Sequence, residues 1–307
     1  MNDKFDPNLM AAAAKRSLDE TVPPPFSSRV NVDFYGISDK GRVRPNNEDH
    51  FLLVRVGRAV ETVLTNLSEA ETLPGELFEE TGYGMVLADG VGGEAAGEVA
   101  SRQAIYILLS LALNTPDWQF RWGAKERNTV MWRMKDRFRR INAALFRDAA
   151  ADPGLTGMCT TLTAAVIHGN DLIVGHIGDS RAYLLHDGKL IRLTRDHTLG
   201  ERLVEDGTHK PGDPLVLDLR GLLVKALGSK ESEAEPDIYD CLLEDKDQLL
   251  LCTDGLTDMV EDAEIETIMN GSNSAQAACR NLVERALSNG GRDNVTVIVA
   301  RYSTPAQ

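Results

Sequence analysis

Four aspartates stand at the ends of apolar runs, and that repeated placement is the strongest chemical signal in the chain. Met85-Val-Leu-Ala runs into Asp89-Gly90, Ile173-Val-Gly-His-Ile-Gly into Asp179, and Leu249-Leu-Leu-Cys-Thr into Asp254-Gly255. Asp293 stands in Arg292-Asp293-Asn294 just before another apolar run, and Glu48-Asp49 precedes the run from His50 to Val56. A single Asp-Gly is an ordinary turn signal. Four or five acids in this position imply more, because carboxylates at neighbouring strand ends converge on one sheet edge. Bare, they repel and their pKa values rise. Hard divalent cations such as Mg²⁺ and Mn²⁺ relieve that repulsion through oxygen ligands. Two such ions can share a carboxylate and activate a water for attack on phosphorus. Arg44, four residues before Glu48, adds a guanidinium able to grip two phosphate oxygens.

The elements that must carry these acids are legible from periodicity. Short runs rich in β-branched residues predict strands at His50–Val56, Gly84–Ala88, Thr160–Ile167, Leu172–Ile177, Arg181–His186, Lys189–Leu193, Gln248–Cys252 and Asn294–Arg301. Asp187-Gly188 between two of them signals a hairpin. Helices are predicted at Glu94–Leu113, about Glu126–Ala151, about Leu199–Asp206, Asp262–Asn270 and Ser274–Ser288. In the second, Val130, Met134, Phe138, Ile141 and Leu145 recur at helical spacing. Hairpins with helices in separate pairs indicate an α+β fold rather than strict βαβ alternation.

Residues 1–30 read as a disordered tail around the Pro-rich Val22–Ser28, and 304–307 as a short C-terminal tail. The remainder, 31–303, reads as one folded unit. Within it Gly57–Thr81, with six Glu and one Arg, reads as an insertion between strands. Thr208–Gly228, rich in Gly, Pro and Asp, reads as a loop or flap that begins near His197.

The 307 residues carry 33 Lys+Arg against 47 Asp+Glu, a formal net charge of −14. That balance disfavours nucleic acid and anionic membranes as general partners. No signal peptide is visible, and the longest apolar run, near Ala104–Leu113, is too short to span a bilayer. Cys159, Cys241, Cys252 and Cys279 lack metal or redox spacing and read as free thiols in a reducing cytosol. Arg121–Arg147 runs against the overall charge, with nine Lys/Arg and two acids. It reads as a solvated basic face that neutralises nearby acids; the sharper reading is a dock for an acidic kinase or phosphopeptide.

Eight motifs follow in order: Arg44-Pro-Asn-Asn-Glu-Asp49, Ala88-Asp-Gly-Val-Gly-Gly93, Cys159-Thr-Thr-Leu-Thr163, Gly178-Asp-Ser-Arg181, Leu193-Thr-Arg-Asp-His197, Lys225-Ala-Leu-Gly228, Thr253-Asp-Gly-Leu-Thr-Asp258 and Gly291-Arg-Asp-Asn-Val295. Together they resemble the metal-dependent Ser/Thr protein phosphatases of the protein phosphatase 2C (PPM) type, in the compact bacterial style, from about Tyr35 to Tyr302. The resemblance implies a central β-sandwich of two antiparallel sheets flanked by helices, four layers α-β-β-α, with a flap. It implies two Mn²⁺ or Mg²⁺ ions with a third in some members. Asp89 would bridge the two, the Gly90 carbonyl would bind one, and Asp254 and Asp293 would hold the other. Glu48 and Asp49 would act through bound waters, Asp179 would serve the third ion, and Arg44 would bind phosphate. A dimetal-bridging hydroxide would hydrolyse phosphoserine or phosphothreonine directly. The implied setting is a cytoplasmic, monomeric enzyme acting on phosphorylated proteins and opposing a Ser/Thr kinase.

Some positions depart from the family pattern. Val91 stands where many eukaryotic members have a histidine proposed as general acid, so a metal-bound water or another group must protonate the leaving alkoxide. Cys159 replaces a common Gly and Lys225 a common Arg. His176 reads as structural. His197 reads as a helix-start or loop histidine bonded to backbone; the sharper reading is a proton-handling group or a support behind the site. Two other readings compete with this one. Gly90-Val-Gly92-Gly-Glu-Ala95 fits a dinucleotide-binding fingerprint, but Asp89 would repel a pyrophosphate there, and the acid expected about 20 residues on is missing. The other is a catalytically weak phosphoprotein-binding regulator of the same fold.

Overall fold

The strands alternate apolar residues to two sides, so each sheet must be covered on both faces. The computed structural model describes residues 30–60, 78–91, 96–115, 124–229 and 234–304. The elements run β1 (Asn31–Asp39), β2 (His50–Val60), β3 (Phe78–Ala88), β4 (Gly90–Val91), α1 (Ala96–Leu113), α2 (Ala124–Ala151), β5 (Cys159–Thr160), β6 (Leu162–His168), β7 (Asp171–Ile177), β8 (Arg181–His186) and β9 (Lys189–Arg192). They continue with α3 (Leu199–Glu205), α4 (Pro214–Leu219), β10 (Asp237–Leu242), β11 (Gln248–Cys252), α5 (Asp254–Thr257), α6 (Asp262–Gly271), α7 (Ala275–Ser288) and β12 (Val295–Ser303).

One sheet has the order β1-β12-β11-β8-β9 and the other β10-β7-β6-β3-β2; β4 and β5 form a small third pair. Every pairing among the described strands is antiparallel. That excludes the parallel sheet on which a dinucleotide fold depends.

Period-two alternation divides the buried side chains into three layers. Leu249 and Leu251 of β11, with Ile298 and Ala300 of β12, meet Met85, Leu87, Ile167 and Val174 between the sheets. Leu250, Cys252, Val297 and Val299 face the other way, against Ile265, Met269, Leu282 and Ala286 of α6 and α7. Ala164, Ile173 and Ile177 face Met134, Phe138, Ile141 and Leu145 of α2 and Ala100 and Ala104 of α1. The result is the expected four-layer α-β-β-α sandwich. Gly175 marks the closest approach of α2 to its sheet: a Cβ there would overlap Met134 and stand 3.2 Å from Phe138 Cε2.

The structure revises several boundaries. The β2–β3 ladder continues to Val60↔Phe78, so both ends of the Gly57–Thr81 insertion are paired strand; residues 61–77 lie outside the described residues. Thr160–Ile167 is two strands broken at Thr161: Cys159–Thr160 pairs with β4, and Leu162–His168 joins the large sheet. β1 and β10 were missed, because each mixes polar residues into a weak alternation. The flap is not a plain loop, since Pro214–Leu219 forms α4 with proline in its first turn. Of the tails expected at 1–30 and 304–307, residues 1–29 and 305–307 lie outside the described residues, as do Gly92 and Gly93.

The basic stretch on α2 is used locally. Arg127 pairs with Asp171 at 2.5 Å, and Lys135 and Arg139 pair with Glu235 at 3.4 and 2.9 Å. These contacts fasten the helix to the β7–β10 side of its sheet and favour the neutralising reading over docking.

Because Phe138 is fully buried between α2 and the sheet, Phe138→Ala should destabilise the fold by about 3–5 kcal/mol. Urea denaturation of the two proteins measures it.

Candidate active site and metal centre

Strand ends deliver the acids to one end of the sandwich. Asp89 follows β3, Asp179 follows β7, Asp254 follows β11 at the start of α5, Asp293 precedes β12, and Glu48-Asp49 precede β2. A cavity of about 320 Å³ opens there, lined by Glu48, Asp89, Asp179, Asp254, Asp293 and Arg44 together with neighbouring backbone. Asp49 lies just beneath it, buried. Every site residue expected from the sequence is therefore in or against this one cavity; the Gly90 backbone lines it too.

Neutral hydroxyls and amides hold these acids in place. Thr161 links two of them: its backbone N–H donates to the Asp89 carbonyl (2.9 Å), and its hydroxyl accepts from the Asp89 N–H (3.0 Å) and lies 2.9 Å from Ser180 Oγ, beside Asp179. Thr160 Oγ1 also donates to the Asp89 carbonyl, at 2.7 Å. The break in the predicted strand at Thr161 is thus what anchors Asp89. On the other sheet, Thr253 and Thr296 donate to Asp49 Oδ2 at 3.0 and 2.7 Å. Asn294 ties the Arg44–Asp49 loop to β12: its Oδ1 accepts from the Glu48 N–H (2.8 Å), and its Nδ2 donates to the Lys40 and Asn46 carbonyls. Sequence reading did not assign roles to these Thr and Asn residues. The signal available was their adjacency to the acids in Cys159-Thr-Thr and Asp293-Asn.

Glycines allow the close approach. A Cβ on Gly90 would collide with the Gly97 carbonyl, and one on Gly255 with the Asn294 carbonyl. Gly41 has φ +76°, a left-handed conformation, and a Cβ there would strike the Asp293 carbonyl.

Electrostatics at this end are unfavourable. Burial, followed by the charges of Asp49, Asp254, Asp179 and Asp293, holds the Asp89 carboxyl well above the usual carboxylate range. Burial and then Asp179 and Asp293 do the same to Asp254. Asp49 is pushed up to about 7 by burial, against the lowering effect of the two threonine hydrogen bonds. Asp179 is also pushed up to about 7, by burial and then Asp196. Arg44, 56% exposed, donates to Asp293 at 2.5 Å, and that bond raises its own pKa further.

Among the described residues no three His, Cys, Asp or Glu side chains are already closed into a metal-ligand set. The donors are instead arrayed around an open cavity, and their chemistry fits hard cations: carboxylate oxygens plus a backbone carbonyl. Asp49 Oδ1 is buried with no hydrogen-bond partner, an orphaned acceptor in need of positive charge or water.

The protein phosphatase 2C family model matches residues 78–289, most of the chain. The chain belongs to the protein phosphatase 2C family. Among its 2C relatives, a Mycobacterium tuberculosis protein named serine/threonine protein phosphatase PstP is 36% identical over 263 residues, covering 86% of this chain and 43% of that protein. The chain thus spans under half the length of that relative. A Listeria welshimeri protein named serine/threonine phosphatase stp is 30% identical over 264 residues, 85% of this chain and 92% of its own length. Among solved structures, the PstP catalytic domain in complex with two manganese ions aligns with TM-score 0.69 and 33% identity, covering 90% of this chain and all of that one. Staphylococcus aureus Stp1 aligns with TM-score 0.70 and 26% identity, over 92% of this chain and 98% of that one.

Within this 2C fold, the buried His176 has other work. His176 Nε2 donates to the Gly178 and Arg195 carbonyls (3.1 and 3.0 Å), while its Nδ1 accepts from Thr163. Burial, and then His197, pushes its pKa down to about 3. Among the described residues lining the cavity none is a histidine, and Val91 stands 40% exposed at its mouth.

The raised carboxyls predict a pH dependence. Asp49 and Asp179 titrate near 7 when folded but near 4 when unfolded. A raised carboxyl pKa stabilises the fold only while the group is protonated, so their contribution is complete below about pH 4 and is lost as pH rises through 7. In chelator, the melting temperature should fall between about pH 5 and 8; added Mn²⁺ should flatten the profile, and Asp49→Asn should shrink the fall. Differential scanning fluorimetry across that range is the measurement.

Proposed function

We propose that this chain is a metal-dependent protein Ser/Thr phosphatase, with residues 31–303 as its catalytic unit. The observation that carries this reading is the convergence of Asp89, Asp179, Asp254 and Asp293 on one cavity beside Arg44, in a chain of the 2C family. Its relatives are named Ser/Thr phosphatases, and one carries two manganese ions.

Asp89, Asp254 and Asp293 with the Gly90 carbonyl would hold two divalent cations, Mn²⁺ or Mg²⁺. Glu48 and Asp49 would hold their waters, and Asp179 would serve a third ion. When bound, the cations supply positive charge that acidifies water and offsets phosphoryl charge. The protein's own contribution is placement. Thr161 fixes Asp89 relative to Asp179, and Thr253 and Thr296 fix Asp49, so the donors are held before a substrate arrives. Arg44, reaching out from the rim, presents a planar guanidinium to the phosphate oxygens. Its present partner, Asp293, is one of the proposed ligands, so Arg44 would exchange that carboxylate for phosphate oxygens when Asp293 serves a cation. The apolar Val91 and Leu223 on the wall would face the substrate side chain and have no proton to give. Expected partners are phosphorylated proteins and the Ser/Thr kinase they answer to, in the cytoplasm, with the enzyme acting as a monomer. Among the described residues no helix is long and apolar enough to cross a membrane.

With Mn²⁺, the protein should hydrolyse p-nitrophenyl phosphate and a phosphothreonine peptide, and EDTA should abolish both activities. Asp89→Asn and Asp254→Asn should each lower kcat by at least about 10³-fold, on the scale of losing a principal electrostatic element. Arg44→Ala should act mainly by raising KM. Steady-state assays test this. Mn²⁺ binding without turnover by the unaltered chain would instead favour the catalytically weak regulator of the same fold.

A further inference from the structure

The turn that carries Asp179 is held by a histidine from the base of the flap. Gly178, immediately before Asp179, has both backbone groups bonded to His197: its N–H donates to His197 Nδ1 at 3.0 Å, and its carbonyl accepts the His197 N–H at 2.7 Å. Because Nδ1 accepts, the ring proton is on Nε2, which faces Asp237 Oδ2 at 3.2 Å. The tautomer is thus set by its two partners. Asp237 is also approached by Lys225 Nζ and Tyr239 Oη, each at 3.3 Å. Its hydrogen bond to His197 keeps that carboxyl well below the usual range.

The ring has little freedom. His197 is 7% exposed and stacks on His176 with centroids 5.0 Å apart. Its carbonyl accepts from the Val224 N–H at 2.8 Å, and the preceding Asp196 is gripped by Arg181 at 2.8 Å. Gly178 itself has φ +115°, and a Cβ there would meet the Thr161 side chain at 2.5 Å. Gly178 therefore lies between Thr161, which anchors Asp89, and His197.

We propose that His197 is a positioning residue: by accepting the Gly178 N–H it fixes the turn that aims Asp179 into the cavity, and so sets how tightly a divalent cation is held at Asp179. The proposal rests on the reading of Asp179 as a cation ligand. His197 acts through the backbone and touches neither substrate nor cation.

The test is Mn²⁺ titration calorimetry on the full chain, with activity read at low and at saturating Mn²⁺. Asp179→Asn should remove one Mn²⁺ binding event. His197→Phe keeps the stacked ring but loses the acceptor, and should weaken that same event by about ten-fold, the scale of one buried hydrogen bond. Its activity should fall at low Mn²⁺ and recover at saturation, which a general structural defect would not do. His197→Asn, whose Oδ1 takes the place of Nδ1, should restore affinity. Should His197→Phe fail to fold, Asp237→Ala decides: it frees the ring tautomer at a half-exposed position and should weaken the same event. Wild-type Mn²⁺ affinity in His197→Phe or, where that fails to fold, in Asp237→Ala, while Asp179→Asn loses the event, overturns the proposal. An unchanged titration in Asp179→Asn overturns it differently, by removing the ligand reading on which it stands.

Discussion

Like charges forced together at one end of the sandwich are the constraint around which the rest is organised. Asp49 and Asp179 are buried and Asp89 and Asp254 half-buried, close enough that burial and one another's charges raise their pKa values. Among the described residues that line the cavity, Arg44 alone is cationic. Neutral donors do the holding. Threonine hydroxyls and backbone amides orient a carboxylate without neutralising it, and so leave its charge for a ligand. The stability lost at this end is offset by three apolar layers elsewhere, as is general for functional sites.

The two sheets divide the work. Thr161 and Ser180 tie Asp89 to Asp179 within the β10-β7-β6-β3-β2 sheet, while Thr253, Thr296 and Asn294 tie Asp49 and Glu48 to the sheet that carries Asp254 and Asp293. The cavity is the seam between these groups. Its width is fixed by sheet packing at about 10 Å, and its depth by glycines that let Gly97 and Asn294 backbone approach Gly90 and Gly255. The flap returns across this seam, with Gly221 and Leu223 in the wall. His197 at its base joins it to the Asp179 turn.

Much of this was legible in the chain. The acids were found because strand-ending Asp is a local pattern, and α2 because Met134, Phe138, Ile141 and Leu145 recur at helical spacing. The misses share a cause. β1 and β10 are ordered by their neighbours in the ladder more than by their own alternation. Thr160–Ile167 looks continuous, yet it bends at Thr161 because that residue bonds Asp89, 72 residues away. Residues Pro214–Leu219 looked like loop because proline reads as a breaker, although it is favourable in a first helical turn.

The sequence by itself determined the donor types, their place at strand ends and most of the strands and helices that carry them, since these follow from adjacency and periods of two or 3.6. Only the tertiary structure decided which donor supports which acid. Asp49 is held by residues 204 and 247 positions away, and Arg44 meets Asp293 across 249. His197, left open in the sequence between a backbone-bonded loop residue and a group serving the site, became the support of Asp179 by bonding a backbone N–H 19 residues back. No local pattern encodes such partners. They arise where antiparallel ladders bring distant strand ends to a common edge, and hydrogen-bond geometry then selects among the groups that meet there.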